Sequence, residues 1–166
     1  LEDIISEEDE TEPERSRYLR LMHLIRLTDI NFVHNNCPSF VGSPVTYDID
    51  VSNEYGLKLK YNLHDCIDTY HAWLILRTLR DTKKEKYTIS EIGSGYGGLV
   101  SKLKNNLPKA KFILFDLPEV NAVQNYYLKK VFPEKKFLGY REFKKKGKKI
   151  FREDFDFLIL PGWTIK

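Results

Sequence analysis

The sequence predicts an α/β protein: a mostly parallel sheet with helical crossovers, preceded by a helical extension. Three observations predict it. Residues 87–119 run as apolar strand pattern, glycine-rich loop, helical repeat and second apolar strand ending in an acid. A helix pattern after Pro118 and an apolar run at 155–160 continue the alternation. The resulting order β-α-β-α-(β)-β implies parallel strands joined by crossovers. Residues 16–80, by contrast, carry helical periodicity and belong to an N-terminal extension.

Composition bounds the reading. A chain of 166 residues holds one domain with a real core. Hydrophobic residues are 42% and charged residues 31%, an ordinary globular balance that excludes a fibrous or wholly disordered chain. No apolar run approaches the ~20 residues of a membrane span. The N-terminus is acidic, unlike a secretory signal. Two cysteines, Cys37 and Cys66, make neither a disulfide framework nor a metal-ligand pattern, so a reducing cytoplasm is expected and no metal. The chain starts at Leu1 and ends 50 residues beyond Asp116, where a doubly wound sheet needs further strands. The expectation is a fragment, C-terminally incomplete.

Charge is unevenly spread. Residues 1–14 carry eight acids and no bases, which reads with Arg15 as a disordered acidic tail over 1–15. Residues 129–152 carry eleven bases and two acids, including Lys144, Lys145, Lys146, Lys148 and Lys149. A phosphate-binding patch is one reading. A solvated loop between two strands is favoured, because no aromatic residues interleave the lysines as single-strand nucleic-acid binding wants.

Taken in order, the helical extension begins with Tyr18, Leu21, Met22, Leu24, Ile25 and Leu27 at helical spacing. Ser16 is its expected cap and Thr28 its approximate end. Residues 32–44 read as loop from their Asn, Pro and Gly breakers. Residues 45–59 form a hairpin or an irregular cap around a turn at 53–56. Ile67, Tyr70, His71, Leu74, Ile75 and Thr78 define one stripe of a helix over 63–79. Residues 81–86 are a polar connection. In the central unit, Tyr87, Ile89 and Ile92 lead into Gly93-Ser94-Gly95-Tyr96-Gly97-Gly98, and Leu99, Leu103 and Leu107 give the helix. Phe112, Ile113, Leu114 and Phe115 end in Asp116. Pro118 and Glu119 suit the first turn of a new helix. Val120, Val123, Tyr127 and Val131 are its expected buried stripe. Residues 137–140 are a short strand, and a last strand ends at Pro161-Gly162-Trp163.

The glycine loop carries the chemistry. Glycines let the backbone turn tightly and let a ligand approach it bare. The helix opening there offers unpaired N–H groups. Asp116, at the end of the next strand, suits two ribose hydroxyls. Gly93, Gly95 and Gly98 satisfy G-x-G-x-x-G, with an acid 18 residues beyond Gly98, close to the dinucleotide fingerprint. Glu91, two residues before Gly93, shifts the balance. A carboxylate there suits an ammonium group, and repels a pyrophosphate. The bland alternative is that Glu91 pairs with a neighbouring base.

The pattern Glu91-x-Gly93-x-Gly95-x-Gly97 resembles motif I of the class I S-adenosylmethionine-dependent methyltransferases. The segment Phe115-Asp116-Leu117-Pro118-Glu119-Val120 looks like the ribose-binding segment of small-molecule O-methyltransferases. Together with Gln124-Asn125-Tyr126-Tyr127-Leu128, residues 87–163 are similar to the bacterial sugar O-methyltransferase family. The resemblance implies a Rossmann-like methyltransferase fold, of which residues 81–166 would be the first half. It implies S-adenosylmethionine as cofactor and a saccharide or other small molecule as acceptor. It also implies cofactor contacts from Glu91, Gly93, Ser94 and Gly95 in the loop, Asp116 at the ribose and Leu117 against adenine. Trp163 would stack on a base or sugar, or serve as core.

The implied reaction is methyl transfer to a sugar hydroxyl, with no nucleic-acid partner. No catalytic base is assigned. His64, Asp65 and His71 are the nearest candidates on the helix before the sheet, and His23 and His34 have less claim. Two other readings stay open: an NAD-dependent oxidoreductase or epimerase with the same glycine pattern, and a non-catalytic truncated remnant.

Overall fold

The computed structural model describes residues 12–36, 41–42, 46–82, 84 and 86–165. The chain divides into two compact units, one of residues 1–38 and 45–70, the other of residues 39–44 and 71–166. The acidic stretch before residue 12, Cys37 and the breakers at 38–39 and 43–44 lie outside the described residues.

In the first unit, α1 spans Glu12–Leu27. It starts before the expected Ser16, which therefore lies inside the helix and does not cap it. Pro13 occupies the second helical position, where its missing N–H leaves no intrahelical bond unmade. Met22, Leu24 and Ile25 are buried along α1. A second helix, α2 at Ile30–Asn35, replaces the first part of the expected loop. Asp29 explains it: extended backbone places Oδ1 to accept the Phe32 N–H at 3.0 Å, a side-chain N-cap. Of the two expectations for 45–59, the hairpin is found. β1 (Tyr47–Val51) pairs antiparallel with β2 (Leu57–Tyr61) across a single helical turn, α3 (Ser52–Tyr55). Asp50 opposes Lys58 and Asp48 opposes Lys60, ion pairs of 3.0 and 3.7 Å on the exposed face.

The helix α4, Leu63–Arg80, crosses from the first unit into the second at His71. It exists as expected, but its buried side differs. Asp65, Cys66, Thr69 and Ala72 are buried, whereas Ile67, His71 and Leu74 are exposed. Two polar residues sit on the buried face, so counting apolar residues alone rotated the stripe. Among the described residues, no helix is long and apolar enough to cross a membrane.

The second unit is an α/β sheet of Rossmann-like type. β3 (Thr88–Ile92), β4 (Lys111–Asp116), β5 (Phe137–Leu138) and β6 (Phe157–Pro161) all pair in parallel, in the order β3-β4-β6-β5. The crossovers are α5 (Gly98–Asn106), α6 (Pro118–Val131) and α7 (Tyr140–Lys146), the last followed by a 3-10 turn at Gly147–Arg152. The chain advances from β3 through β4 to β5, then steps back to insert β6. Right-handed crossovers require the helix of the backward step to lie on the opposite face. The core follows that rule. Ile113, Leu158 and Leu160 cluster with Ile150 and Phe143 of the backward crossover. Phe112 and Phe157 turn to the other face, where Phe132, at the end of α6, lies 5.6 Å from Phe157. In the doubly wound dinucleotide fold the glycine-loop strand lies inside the sheet. Here β3 is an edge strand of the described sheet.

A buried ion pair ties the amino ends together. Lys104 of α5 is sealed from solvent, with Nζ 2.5 Å from Asp156 Oδ1 and donating to the Ala110 carbonyl at 2.8 Å. It also lies over the rings of Phe112 and Phe157 at 5.9 and 5.6 Å. Asp156 Oδ2 accepts the Lys136 N–H at 2.9 Å. One lysine thus links α5 to the starts of β4 and β6, and Asp156 extends the link to the approach to β5.

Candidate functional site at the glycine loop

The site lies at the carboxyl ends of β3, β4 and β6, where parallel sheets hold their ligands. The Gly93 N–H donates to the Phe115 carbonyl at 2.8 Å, continuing the β3–β4 ladder into the loop. Gly93, Gly95 and Gly97 all take positive φ, 72°, 53° and 96°. The loop closes on itself through Gly97 N–H to Ser94 carbonyl at 3.1 Å, and α5 opens at Gly98 with no side-chain cap. Its first-turn N–H groups therefore face the carboxyl edge of the sheet.

Asp116 and the loop are brought together directly. Asp116 Oδ2 accepts the Gly95 N–H at 2.8 Å, and Oδ1 accepts the Leu117 N–H at 2.7 Å. The acid thus ties the loop to the end of β4. Each oxygen keeps a second acceptor position. Glu91 is half-buried on β3, in register with Leu114 and two residues from Gly93. Pro161 is in register with Asp116, so Gly162 and Trp163 emerge beside Leu117. Around these strand ends three large apolar side chains stand in solvent: Ile92 at 74%, Leu117 at 59% and Trp163 at 58%. Trp163 is exposed rather than core, with Tyr140 edge-on at 6.3 Å. An exposed apolar cluster at the ligand edge of a sheet suits a flat apolar group such as a base.

The loop is moulded by α6, on a face the sequence did not reveal. The expected stripe included Val123, which is 57% exposed. The buried residues are Asn121, Gln124, Tyr127 and Leu128. Asn121 Nδ2 reaches the Asp116 carbonyl at 3.4 Å. Gln124 Nε2 donates to Ser94 Oγ at 2.7 Å and to the Gly95 carbonyl at 3.1 Å. Tyr127 meets Tyr96 edge to face at 5.0 Å. Leu128 lies 3.1–3.3 Å from where a Cβ on Gly97 would be. Residues one turn apart on α6 therefore grip consecutive loop residues, 94 to 97. Ser94 is buried, and its hydroxyl is turned into α6. Neither Asn121 nor Gln124 entered the expected buried stripe, because hydrophobic periodicity ignores amides. Their i, i+3 spacing with Tyr127 was the available signal.

His23, His34 and His71 are exposed. The His64 side chain lies outside the described residues, and Asp65 is buried, its N–H donating to Asn62 Oδ1 at 2.9 Å. The basic run is not a loop: Lys144, Lys145 and Lys146 close α7, and Lys148 and Lys149 lie in the 3-10 turn. All five are exposed, Lys146 pairs with Glu153 at 2.9 Å, and Lys144 lies over the Tyr140 ring at 5.9 Å. Compared with protein-family models, curated proteins and solved structures, the chain matches none.

Proposed function

We propose that the chain binds S-adenosylmethionine at the glycine loop and that its activity is methyl transfer to the hydroxyl of a sugar. The observation that carries this reading is the Gly95–Asp116 hydrogen bond of 2.8 Å. It sets a glycine loop, a strand-end acid and the exposed Leu117 side by side at the carboxyl edge of a parallel sheet. The loop leaves room for a ligand: a Cβ built on Gly93 or Gly95 meets nothing within 4 Å. On this reading Glu91 holds the ligand's ammonium, the Gly93–Gly95 backbone lies against its amino-acid end, Asp116 takes the ribose hydroxyls and Leu117 covers the adenine. Ser94 contributes loop shape, its hydroxyl oxygen accepting from Gln124 on α6. When bound, the cofactor supplies an already activated methyl group. The chain's work is then alignment and exclusion of water. The saccharide acceptor rests on the resemblance of residues 87–163, and a reducing, cytoplasmic setting rests on the low cysteine count.

The competing reading is NAD binding. It is favoured by Gly98, the third glycine of the dinucleotide pattern, opening α5. A thermal-shift comparison separates the two. At a ligand concentration of 100 Kd, binding adds about 2.7 kcal/mol, or about 5–11 °C for a chain of this size. S-adenosylhomocysteine is expected to give that shift and NAD none. Stabilisation by NAD alone refutes the methyltransferase reading, and stabilisation by neither favours a non-catalytic module.

A further inference from the structure

We infer that Gln124 is a positioning residue of the glycine-loop site, fixing the 95–96 peptide in the orientation the ligand meets. As a statement about ligand binding, this rests on the reading proposed above. As a statement about the loop, it stands on the geometry alone.

Gln124 is fully buried on α6. Its amide nitrogen makes two hydrogen bonds, to Ser94 Oγ at 2.7 Å and to the Gly95 carbonyl at 3.1 Å. The second bond fixes the amide's orientation, because the reverse would set two carbonyl oxygens against each other. The Oε1 atom is then buried with no hydrogen-bond partner. A buried, unsatisfied acceptor costs the fold stability that an apolar side chain of the same length would not forfeit. Methionine would remove that orphan, but only with the loss of the bonds to Ser94 Oγ and the Gly95 carbonyl, so the amide is kept for what its nitrogen holds. Departures of this kind concentrate where a site needs a particular geometry.

The geometry in question is that of one residue. Gly95 is held from two sides: its carbonyl by Gln124 from the helix, its N–H by Asp116 from the strand end. In a trans peptide the carbonyl and the following N–H point in opposite directions. Drawing the Gly95 carbonyl toward α6 thus turns the Tyr96 N–H away from α6. Gly95 takes a positive φ of 53°, so the loop has no side chain of its own to lock this orientation. Beside this peptide, Tyr127 meets the Tyr96 ring edge-on and Leu128 packs under Gly97.

The test compares wild type with Gln124→Met, using amide hydrogen exchange by NMR and calorimetric titration with S-adenosylhomocysteine. The expected result is Gly95 N–H exchange at least tenfold faster, Phe112 and Leu114 exchange unchanged, and a Kd for S-adenosylhomocysteine at least tenfold weaker. Unchanged Gly95 exchange overturns the proposal. So does equal acceleration of every amide, which marks a purely structural role. If Gln124→Met does not fold, Gln124→Asn decides by the same exchange measurement, since it keeps the amide but falls one methylene short of the loop. If wild type itself does not bind S-adenosylhomocysteine, the methyltransferase reading fails, while Gly95 exchange still decides whether Gln124 sets the loop.

Discussion

Replacing Gly97 by alanine tests how tightly α6 moulds the loop. Gly97 has φ 96° and ψ 22°, and a Cβ there would come within 3.1, 3.2 and 3.3 Å of Leu128 Cγ, Cδ2 and Cδ1. Two costs follow. Left-handed backbone costs a non-glycine residue about 1–2 kcal/mol. Leu128 has no exposed surface into which to retreat, so crowding adds about 1–3 kcal/mol. The sum is about 2–5 kcal/mol. Gly93 supplies the internal control: its φ is 72°, but a Cβ there meets nothing within 4 Å. Gly93→Ala should therefore show the backbone cost alone. Urea unfolding of both variants measures the difference, expected at about 1–3 kcal/mol. Equal destabilisation of the two within about 0.5 kcal/mol would refute the close packing of Leu128 beneath the loop.

Three further outcomes are expected. Asp156→Ala strands the sealed Lys104 ammonium without its counter-charge, leaving the Ala110 carbonyl and two aromatic faces, and should cost about 3–5 kcal/mol in urea unfolding. Lys104→Met leaves Asp156 partly exposed and still accepting the Lys136 N–H, and should cost at most about 2 kcal/mol; the reverse ranking would contradict the pairing. Burial raises the Asp156 pKa, but the Lys104 hydrogen bond, the Lys136 N–H and the Lys104 and Lys135 charges outweigh it and hold it below its ordinary value. A depressed folded value means stability fully present above the ordinary aspartate pKa of about 3.9 and lost as pH falls through the lower one. The gap in unfolding free energy between wild type and Asp156→Ala should accordingly shrink below about pH 4, and a constant gap from pH 7 to pH 3 would count against it.

The sheet was legible because its strands are nearly all apolar and their boundaries carry strong signals. Residues 111–116 end in a lone acid, Pro118 opens α6, and glycines mark the turn out of β3. The strand order was not legible, since β6 reaches its place between β4 and β5 by tertiary pairing that no local pattern encodes. Buried faces were misread on α4 and α6 for one reason. Asp65, Thr69, Asn121 and Gln124 are polar and buried, and periodicity counts only apolar residues. On α5, likewise, Lys104 reads as a solvent residue until Asp156, 52 positions away, is brought beside it. α2 was missed because its cap, Asp29, lies just upstream of the breakers that dominated the reading. Of the site, the loop and Asp116 were legible from the spacing of glycines and acid. Their hydrogen bond and the grip of α6 are long-range facts.

The central claim is that a nucleoside ligand lies across the glycine loop and the end of β4. Titrating the 15N-labelled chain with S-adenosylhomocysteine tests this most directly, because glycine amides are readily resolved in such spectra. The account predicts saturable shifts at Gly93, Gly95, Gly97 and Leu117, with the amides of the β1–β2 hairpin unmoved, and their loss in Asp116→Ala, which releases the Gly95 N–H. Saturable shifts that bypass the loop, or that persist unchanged in Asp116→Ala, would contradict it.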